Sequence, residues 1–258
     1  MYRLGEGTAF AIAFVCMETA GVTREPTPIV FLHGLFDDRE MWARQAEHLT
    51  DTAAPLAIDL TEHDTMSAYA ELVLDTAPES FALAGFSMGG YVALEILRRA
   101  PERVSQLALI DTSARGDTEE QTTERRRRIG LAQAGRYEAL VDESLPMAVH
   151  PSRVGDAPLM TALRDMALRI GADAFVRQLK AIMSRPDSRD CLGQIRCPTL
   201  VICGRQDTVT PPELSHEIGE GIPGARVVLV DECNHYAPME RPYAVSALLR
   251  EWLLYPLR

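Results

Sequence analysis

Residues 81–95 read FALAGFSMGGYVALE, and this stretch decides the fold of the chain. Its first six residues form an apolar run of strand length, and the run from Met88 to Ala100 has the composition of a helix that a proline then halts. Between them lies Gly85-Phe86-Ser87-Met88-Gly89, where glycines on both sides leave room for a sharp turn. The five-residue pattern is common by itself, but here it joins a predicted strand to a predicted helix. It therefore predicts a turn that lifts the Ser87 hydroxyl above the end of a strand.

Apolar strands alternate with helices on both sides of this turn. Apart from 81–86, the predicted strands are Ala9–Met17, Pro28–Leu32, Pro55–Leu60, Leu107–Ile110, Thr199–Cys203 and Val227–Val230. The first of these could be mistaken for the core of a signal peptide, but the acidic Glu6 precedes it. Apolar strands separated by helices of about ten residues are typical of βαβ units. We therefore predict an α/β fold, with a mostly parallel sheet and helices on both faces.

The segment from about Ser113 to Asp187 lacks strand candidates and contains only amphipathic helical stretches broken by Gly and Pro. We therefore predict a core formed by residues 1–112 and 188–258, interrupted by an all-helical insertion at 113–187. Thr118 and Gln121 have the spacing of a capping box that opens a helix. The four arginines at 125–128 follow three glutamates, and we interpret them as a solvated helix face.

Composition excludes several classes of function. The formal net charge of −11 argues against nucleic-acid binding, which needs a surplus of Lys and Arg, and against binding to anionic membranes. No stretch approaches the ~20 apolar residues of a membrane helix. Five cysteines without a Cys-x-x-Cys pair predict free thiols in a reducing compartment, hence a cytoplasmic protein. Zinc-ligand spacing and phosphate-binding glycine motifs are absent, so we predict neither a metal nor a cofactor.

A serine hydroxyl is a weak nucleophile unless a base removes its proton. His235 follows the last predicted strand, and loops at the carboxyl ends of parallel strands converge beside the turn that carries Ser87. The base needs a carboxylate to fix its tautomer. Asp207 and Asp111 both follow predicted strands and could fill that role. Both fit the order serine, acid, histidine of this architecture. We favour Asp207 because Gly204 and Pro211-Pro212 predict a tight, fixed loop around it, and Asp111 stays the alternative.

Acyl transfer passes through an oxyanion that needs two N–H donors. The Met88 N–H, at the start of the helix after the turn, can supply one of them. The Leu35 N–H can supply the other, because His33-Gly34-Leu35 ends an earlier strand. The alternative is that His33 and Gly34 only terminate that strand.

Four motifs in this order resemble the α/β-hydrolase family, and the resemblance covers nearly the whole chain. They are HGLFDD at 33–38, GFSMGGYVALE at 85–95, GRQDTVTPP at 204–212 and NHYAPMERP at 234–242. The chain is most similar to the branch of serine esterases, enol-lactonases and carbon–carbon bond hydrolases. The resemblance implies that the helical insertion is a cap over the active site. Two departures are Thr61-Glu62-His63-Asp64, where many relatives carry Arg-Gly-x-Gly, and Asn234, where many carry glycine.

These observations predict a hydrolase that cleaves a small or medium carboxylic ester through an acyl-enzyme. Cleavage of a carbon–carbon bond, lactone or thioester by the same residues is the alternative, and a non-catalytic receptor for a small ligand is a third possibility. The predicted substrate contacts are Leu35, Phe36, Met88 and Tyr236 from the core, with Met147, Leu159, Met160 and Met166 from the cap. For each of these four cap residues a purely structural role in the cap core is the alternative, since methionine fills irregular gaps.

Overall fold

The computed structural model of the chain describes residues 26–256. Within them, six strands form one parallel sheet in the order β2-β1-β3-β4-β5-β6. The strands are β1 (Thr27–Leu32), β2 (Ala53–Ile58), β3 (Phe81–Phe86), β4 (Val104–Ile110), β5 (Thr199–Gly204) and β6 (Arg226–Val230). This architecture confirms the predicted α/β fold. The strand predicted at 9–17 lies outside the described residues.

Ten α-helices connect and flank these strands in the described part of the chain. They are α1 (Ala43–His48), α2 (Met66–Thr76), α3 (Met88–Arg99), α4 (Glu119–Leu131), α5 (Tyr137–Ala148), α6 (Ala157–Met183), α7 (Arg189–Leu192), α8 (Pro212–Gly221), α9 (Ala237–Glu240) and α10 (Pro242–Leu254). Helix α2 packs on α3, and α1 packs on α10. None of these helices is long and apolar enough to cross a membrane.

Strands β3 and β4 lie at the centre of the described sheet, and every residue of β3 is buried. Such burial on both faces explains why the strand reads as a continuous apolar run instead of an alternating one. Strand β2 begins at Ala53, two residues before its predicted start, and pairs only with β1 among the described residues. Pro55 is compatible with that position, because proline has no N–H to donate and a strand that pairs on one side only does not use every N–H.

The chain between β4 and β5 forms helices and turns only. The predicted capping box is present at the start of α4, where Gln121 N donates to Thr118 Oγ1 and Thr118 N donates to Gln121 Oε1, at 3.2 and 3.0 Å. Helix α6 bends at Gly171, whose φ of 75° lies in the left-handed region.

Because the six described strands are parallel, the loops at their carboxyl ends lie at the same edge of the sheet. The loop after β1 carries Leu35, and the turn after β3 carries Ser87. Asp111 follows β4, Asp207 follows β5, and His235 follows β6. The fold therefore collects the predicted chemical groups from five separate parts of the chain.

Candidate active site

The turn between β3 and α3 holds Ser87 in a strained backbone conformation, with φ of 49° and ψ of −111°. Close approach of neighbouring backbone makes the flanking glycines necessary. A Cβ atom on Gly89 would lie 2.3 Å from the Leu32 carbonyl oxygen. Two hydrogen bonds hold the turn against the end of β4: Ser87 N donates to Ile110 O at 2.9 Å, and Thr112 Oγ1 donates to Ser87 O at 2.7 Å.

Three of the predicted residues form one hydrogen-bonded chain. Ser87 Oγ lies 3.0 Å from His235 Nε2, and His235 Nδ1 lies 2.9 Å from Asp207 Oδ2. The exposed fractions are 9% for Ser87, 5% for His235 and 3% for Asp207. The structure thus brings together a hydroxyl, a base and a carboxylate in the arrangement that activates a serine.

Asp207 is held by hydrogen bonds from its own loop. Its Oδ1 accepts from the backbone N–H groups of Val209 and Thr210 at 2.8 and 2.9 Å, while Thr210 Oγ1 donates to Oδ2 at 2.8 Å. Burial by itself would raise the pKa of Asp207, but the neighbouring His235 and these hydrogen bonds outweigh it and hold the pKa below its ordinary value.

Asp111, the other predicted candidate, occupies a different position. Its Oδ1 accepts from Gly204 N at 2.7 Å and its Oδ2 accepts from Ala237 N at 3.1 Å. Burial, and then the charge of Asp207, raise the pKa of Asp111 well above its ordinary value. The carboxyl group therefore joins the end of β5 to the start of α9, and it is Asp207 that lies beside His235 Nδ1.

Ligand atoms of Asp111, Cys203 and Asp207 lie within 4.8 Å of one another, which is close enough to consider a metal site. The two carboxylates already accept the loop hydrogen bonds described above. Burial, followed by the charges of Asp111 and Asp207, raises the pKa of the Cys203 thiol, whereas a metal ligand must be the thiolate. This donor set suits the joining of loops better than it suits a cation.

The two predicted oxyanion donors lie on different parts of the chain, Leu35 on the loop after β1 and Met88 at the start of α3. Among residues 26–256, no backbone carbonyl accepts from the N–H of Leu35 or Met88. His33 holds the loop after β1 through two contacts. Its Nδ1 lies 2.9 Å from Gly34 O, and its Nε2 accepts from Leu60 N at 2.7 Å. Burial lowers the pKa of His33, so the ring is neutral and its role here is structural.

Gln178, on α6, also holds this loop, and the sequence interpretation missed it. Its Oε1 accepts from Phe36 N at 3.2 Å, and its Nε2 donates to Leu60 O at 3.0 Å. The side chain is fully buried. A polar amide among the apolar residues Phe175, Val176 and Leu179 was the available signal, because a buried amide needs partners.

Asn234, noted above as a departure from the glycine of many relatives, has a structural role. Its Oδ1 accepts from Thr208 N at 2.9 Å, and its Nδ2 donates to the carbonyl oxygens of Met147 and Val149 at 3.0 and 3.2 Å. The N–H of His235 donates to the carbonyl of Ala148, which lies between them, at 3.0 Å. The loop that carries His235 is therefore tied both to the loop after β5 and to the end of α5.

A cavity of about 440 Å³ adjoins Ser87 and His235. Of the predicted substrate contacts, Leu35, Phe36, Tyr236 and Met147 line this cavity. Met88, also a predicted contact, is fully buried and is not among the residues that line the cavity. The prediction that Leu159, Met160 and Met166 contact the substrate is wrong, because the orientation of α6 points their side chains away from this cavity. Leu159 and Met166 are buried in the core of the cap, and Met160 borders a separate surface hollow.

The interpretation of residues 125–128 as a solvated face is also wrong in part. Arg126 and Arg127 are exposed, and Arg127 pairs with Glu124. Arg125 is partly covered and pairs with Asp117. Arg128 lines the cavity that adjoins Ser87. Four consecutive residues cover about 300° of a helix at ~100° each, so at least one of them had to face inward.

The fold and this geometry define an α/β protein in which a serine, a histidine and an aspartate form a hydrogen-bonded chain at the carboxyl edge of the sheet. The model of the alpha/beta hydrolase family matches residues 29–248, and the chain belongs to this family. Among curated proteins, it is 28% identical over 240 residues to the pimeloyl-[acyl-carrier protein] methyl ester esterase of Nitrosomonas europaea, covering 87% of this chain and 93% of that protein.

Two solved structures are also similar. A malate-bound thermophilic esterase from Thermogutta terrifontis superposes with a TM-score of 0.83 at 31% identity, covering 90% of this chain and 91% of the other. The enol-lactonase from Burkholderia xenovorans LB400 superposes with a TM-score of 0.82 at 25% identity, covering 91% and 94%. These matches confirm the resemblance noted from the four sequence motifs.

Proposed function

We propose that the protein is a serine hydrolase that cleaves a small or medium carboxylic ester through an acyl-enzyme. In this proposal Ser87 is the nucleophile, His235 the general base and Asp207 the orienting acid. The observation that carries it is the hydrogen-bonded chain from Asp207 through His235 to Ser87 at the wall of a cavity. The esterases among its relatives support the same reaction class.

In the proposed reaction, His235 Nε2 takes the proton of Ser87 as Oγ attacks the ester carbonyl carbon. The carbonyl oxygen becomes an oxyanion, which accepts hydrogen bonds from the N–H groups of Leu35 and Met88. The carbon–oxygen bond to the alcohol then breaks, and the alcohol leaves with the proton from His235. A water molecule, deprotonated by His235, releases the acid by the same steps in reverse order.

Lactone hydrolysis is the second candidate, because a lactone is a cyclic ester and the enol-lactonase likeness covers 91% of this chain. It needs no other residues, but the alcohol remains attached to the acyl group. Cleavage of carbon–carbon or thioester bonds by the same residues stays a prediction from the sequence.

The free thiols at Cys191, Cys197, Cys203 and Cys233 agree with the prediction of a cytoplasmic location.

A panel of 4-nitrophenyl esters with acyl chains from two to ten carbons tests this function. We expect release of 4-nitrophenolate with the highest kcat/KM at short or medium chains, since the cavity holds about 440 Å³. Hydrolysis of γ- and δ-lactones, monitored through the protons that it releases, tests the second candidate. Absence of turnover on every ester and lactone, together with tight binding of a small molecule, would favour the receptor.

We also propose that residues 113–187 form a cap that sets the substrate range. Helices α4 and α5 contribute much of the cavity wall, including Met147 at the end of α5. Met147→Ala should shift the preferred acyl length by about two carbons while changing turnover of the acetate ester by less than threefold, because the change lies in the wall and away from the reacting atoms. The acyl-length profile of kcat/KM measures this shift.

Met160→Ala is the matched control for Met147→Ala. It removes the same side chain from the cap at a position outside the cavity wall. Its acyl-length profile should equal that of the wild type. An unchanged profile in Met147→Ala, or an equal shift in both variants, would contradict the assignment of this wall.

A further inference from the structure

Arg128 lies on α4 and turns its guanidinium group toward the cavity. The group stands over the rings of Phe36 and Phe175, at 5.3 and 5.6 Å from their centroids. These rings are themselves stacked at 4.6 Å. Nη2 of Arg128 donates to Ser144 Oγ at 2.8 Å. Aromatic stacking and this hydrogen bond fix the guanidinium in the wall of the cavity that also contains Ser87.

The neighbouring arginines have carboxylate partners, whereas Arg128 has none in the described part of the chain. Arg125 forms two hydrogen bonds with Asp117, at 2.7 and 3.1 Å, and Arg127 forms two with Glu124, both at 2.7 Å. Within residues 26–256, no ion pair within 4.0 Å involves Arg128. A half-buried cation without a counter-ion is costly, and such groups are normally paired.

The remaining charges around Arg128 do not neutralise it. Arg125, Arg127, Glu124 and Glu143 also border the cavity. Both glutamates are exposed, and Glu124 is engaged by Arg127. Burial, followed by the charge of Arg125, lowers the pKa of Arg128. A guanidinium nevertheless stays protonated in proteins, so the positive charge persists.

We propose that Arg128 binds a carboxylate of the substrate, so that the preferred substrates are esters or lactones with a second, ionised carboxyl group. The planar guanidinium matches a carboxylate with two parallel N–H donors, and the Ser144 hydroxyl beside it can donate a third hydrogen bond. This inference rests on the proposed ester hydrolysis and names its substrate class. The preference for an anionic substrate must arise from contacts inside the cavity, because the chain as a whole carries a net charge of −11 and repels anions at long range.

Two pairs of esters test the inference, each matching a carboxylate with a neutral ketone of equal size. On the acyl side the pair is mono(4-nitrophenyl) glutarate and 4-nitrophenyl 5-oxohexanoate. On the alcohol side it is the butyrate esters of 4-hydroxybenzoate and of 4-hydroxyacetophenone. In at least one pair, the wild type should prefer the carboxylate by about tenfold or more in kcat/KM, the effect expected of one charge-assisted hydrogen bond.

Arg128→Met keeps an apolar side chain over the two rings and removes the charge. It should lower the carboxylate-to-ketone ratio of kcat/KM by about tenfold or more, and Arg128→Lys should retain part of the preference. Arg126→Met is the matched control, since it removes the same charge from an exposed position on α4, and its ratio should equal that of the wild type. Circular dichroism and thermal melting check that the variants fold. A wild-type preference for the ketone in both pairs, or equal losses for both members in Arg128→Met, would overturn the inference.

Binding to protein that carries Ser87→Ala separates this inference from the proposed function. Calorimetry would compare monomethyl glutarate with methyl 5-oxohexanoate, with and without Arg128→Met. Tighter binding of the carboxylate that depends on Arg128 supports the inference even if the wild type hydrolyses no ester, in which case only the proposed function fails. If esters are hydrolysed but neither kinetics nor binding favours the carboxylate, the inference fails and the proposed function stands.

Discussion

Ser87→Ala should lower kcat for hydrolysis of 4-nitrophenyl butyrate by about 10⁵- to 10⁶-fold, as loss of the nucleophile does in serine hydrolases with a triad. The oxygen removed is the one that lies 3.0 Å from His235 Nε2. The fold should survive, because alanine occupies the same space and the hydrogen bonds that hold the turn come from the backbone of residue 87. Steady-state kinetics together with thermal melting measures both effects.

Ser246→Ala is the control for Ser87→Ala. Ser246 is also buried, but it lies on α10 and hydrogen-bonds His48 away from the cavity. Turnover in this variant should stay within about twofold of the wild type. If purified Ser87→Ala retained turnover like that of the wild type, Ser87 could not be the nucleophile.

Asp207→Asn should lower kcat by about 10⁴-fold, the cost known for the loss of the orienting carboxylate in a related triad. An amide in the place of Asp207 Oδ2 can donate a hydrogen bond to His235 Nδ1, which favours the tautomer that cannot accept the proton of Ser87. The remaining oxygen can still accept from the N–H groups of Val209 and Thr210, so the loop should keep its shape. Stability in urea should therefore change little compared with turnover.

Asp111→Asn is the informative partner of this variant. In the wild type, the two carboxyl oxygens of Asp111 accept from Gly204 N and Ala237 N, and the amide of an asparagine can keep only one of these two bonds. We expect a loss of turnover of about tenfold and a loss of about 1–3 kcal/mol in the free energy of unfolding, the cost of one unpaired buried group. The opposite ranking of the two variants in kcat would move the orienting role to Asp111 and leave Ser87 and His235 as proposed.

The sheet and the order of its loops could be predicted from sequence because both depend on short-range patterns. A buried parallel strand is a continuous apolar run, and β3 was predicted with its observed bounds, Phe81–Phe86. Once the strands are parallel, their carboxyl ends share an edge, so Ser87, Asp207 and His235 could be expected to lie close together. The choice between Asp207 and Asp111 depended on side-chain directions at the ends of two neighbouring strands, and the sequence pattern does not contain these.

The cap was predicted only as a set of helices, because the rotation of each helix depends on packing with distant residues. Met147 and Met160 both lie in helices of the predicted cap, yet one lines the cavity and the other borders a surface hollow. In the same way, the arginine run required an inward residue without specifying Arg128. Gln178 bonds to Phe36 and Leu60, which are more than a hundred residues away in sequence, so its partners could be found only in the folded chain.

The hydrogen bonds between the end of α5 and the loop that carries His235 have a consequence for how substrate preference can evolve. Asn234 and His235 bond to three consecutive main-chain carbonyls, at Met147, Ala148 and Val149, and to none of their side chains. Every amino acid presents the same carbonyl, so the attachment tolerates any residue that keeps the path of the chain. Mutations at residue 147 can therefore change the wall of the cavity while His235 keeps its position, so substrate selectivity can evolve without loss of the proposed catalytic geometry.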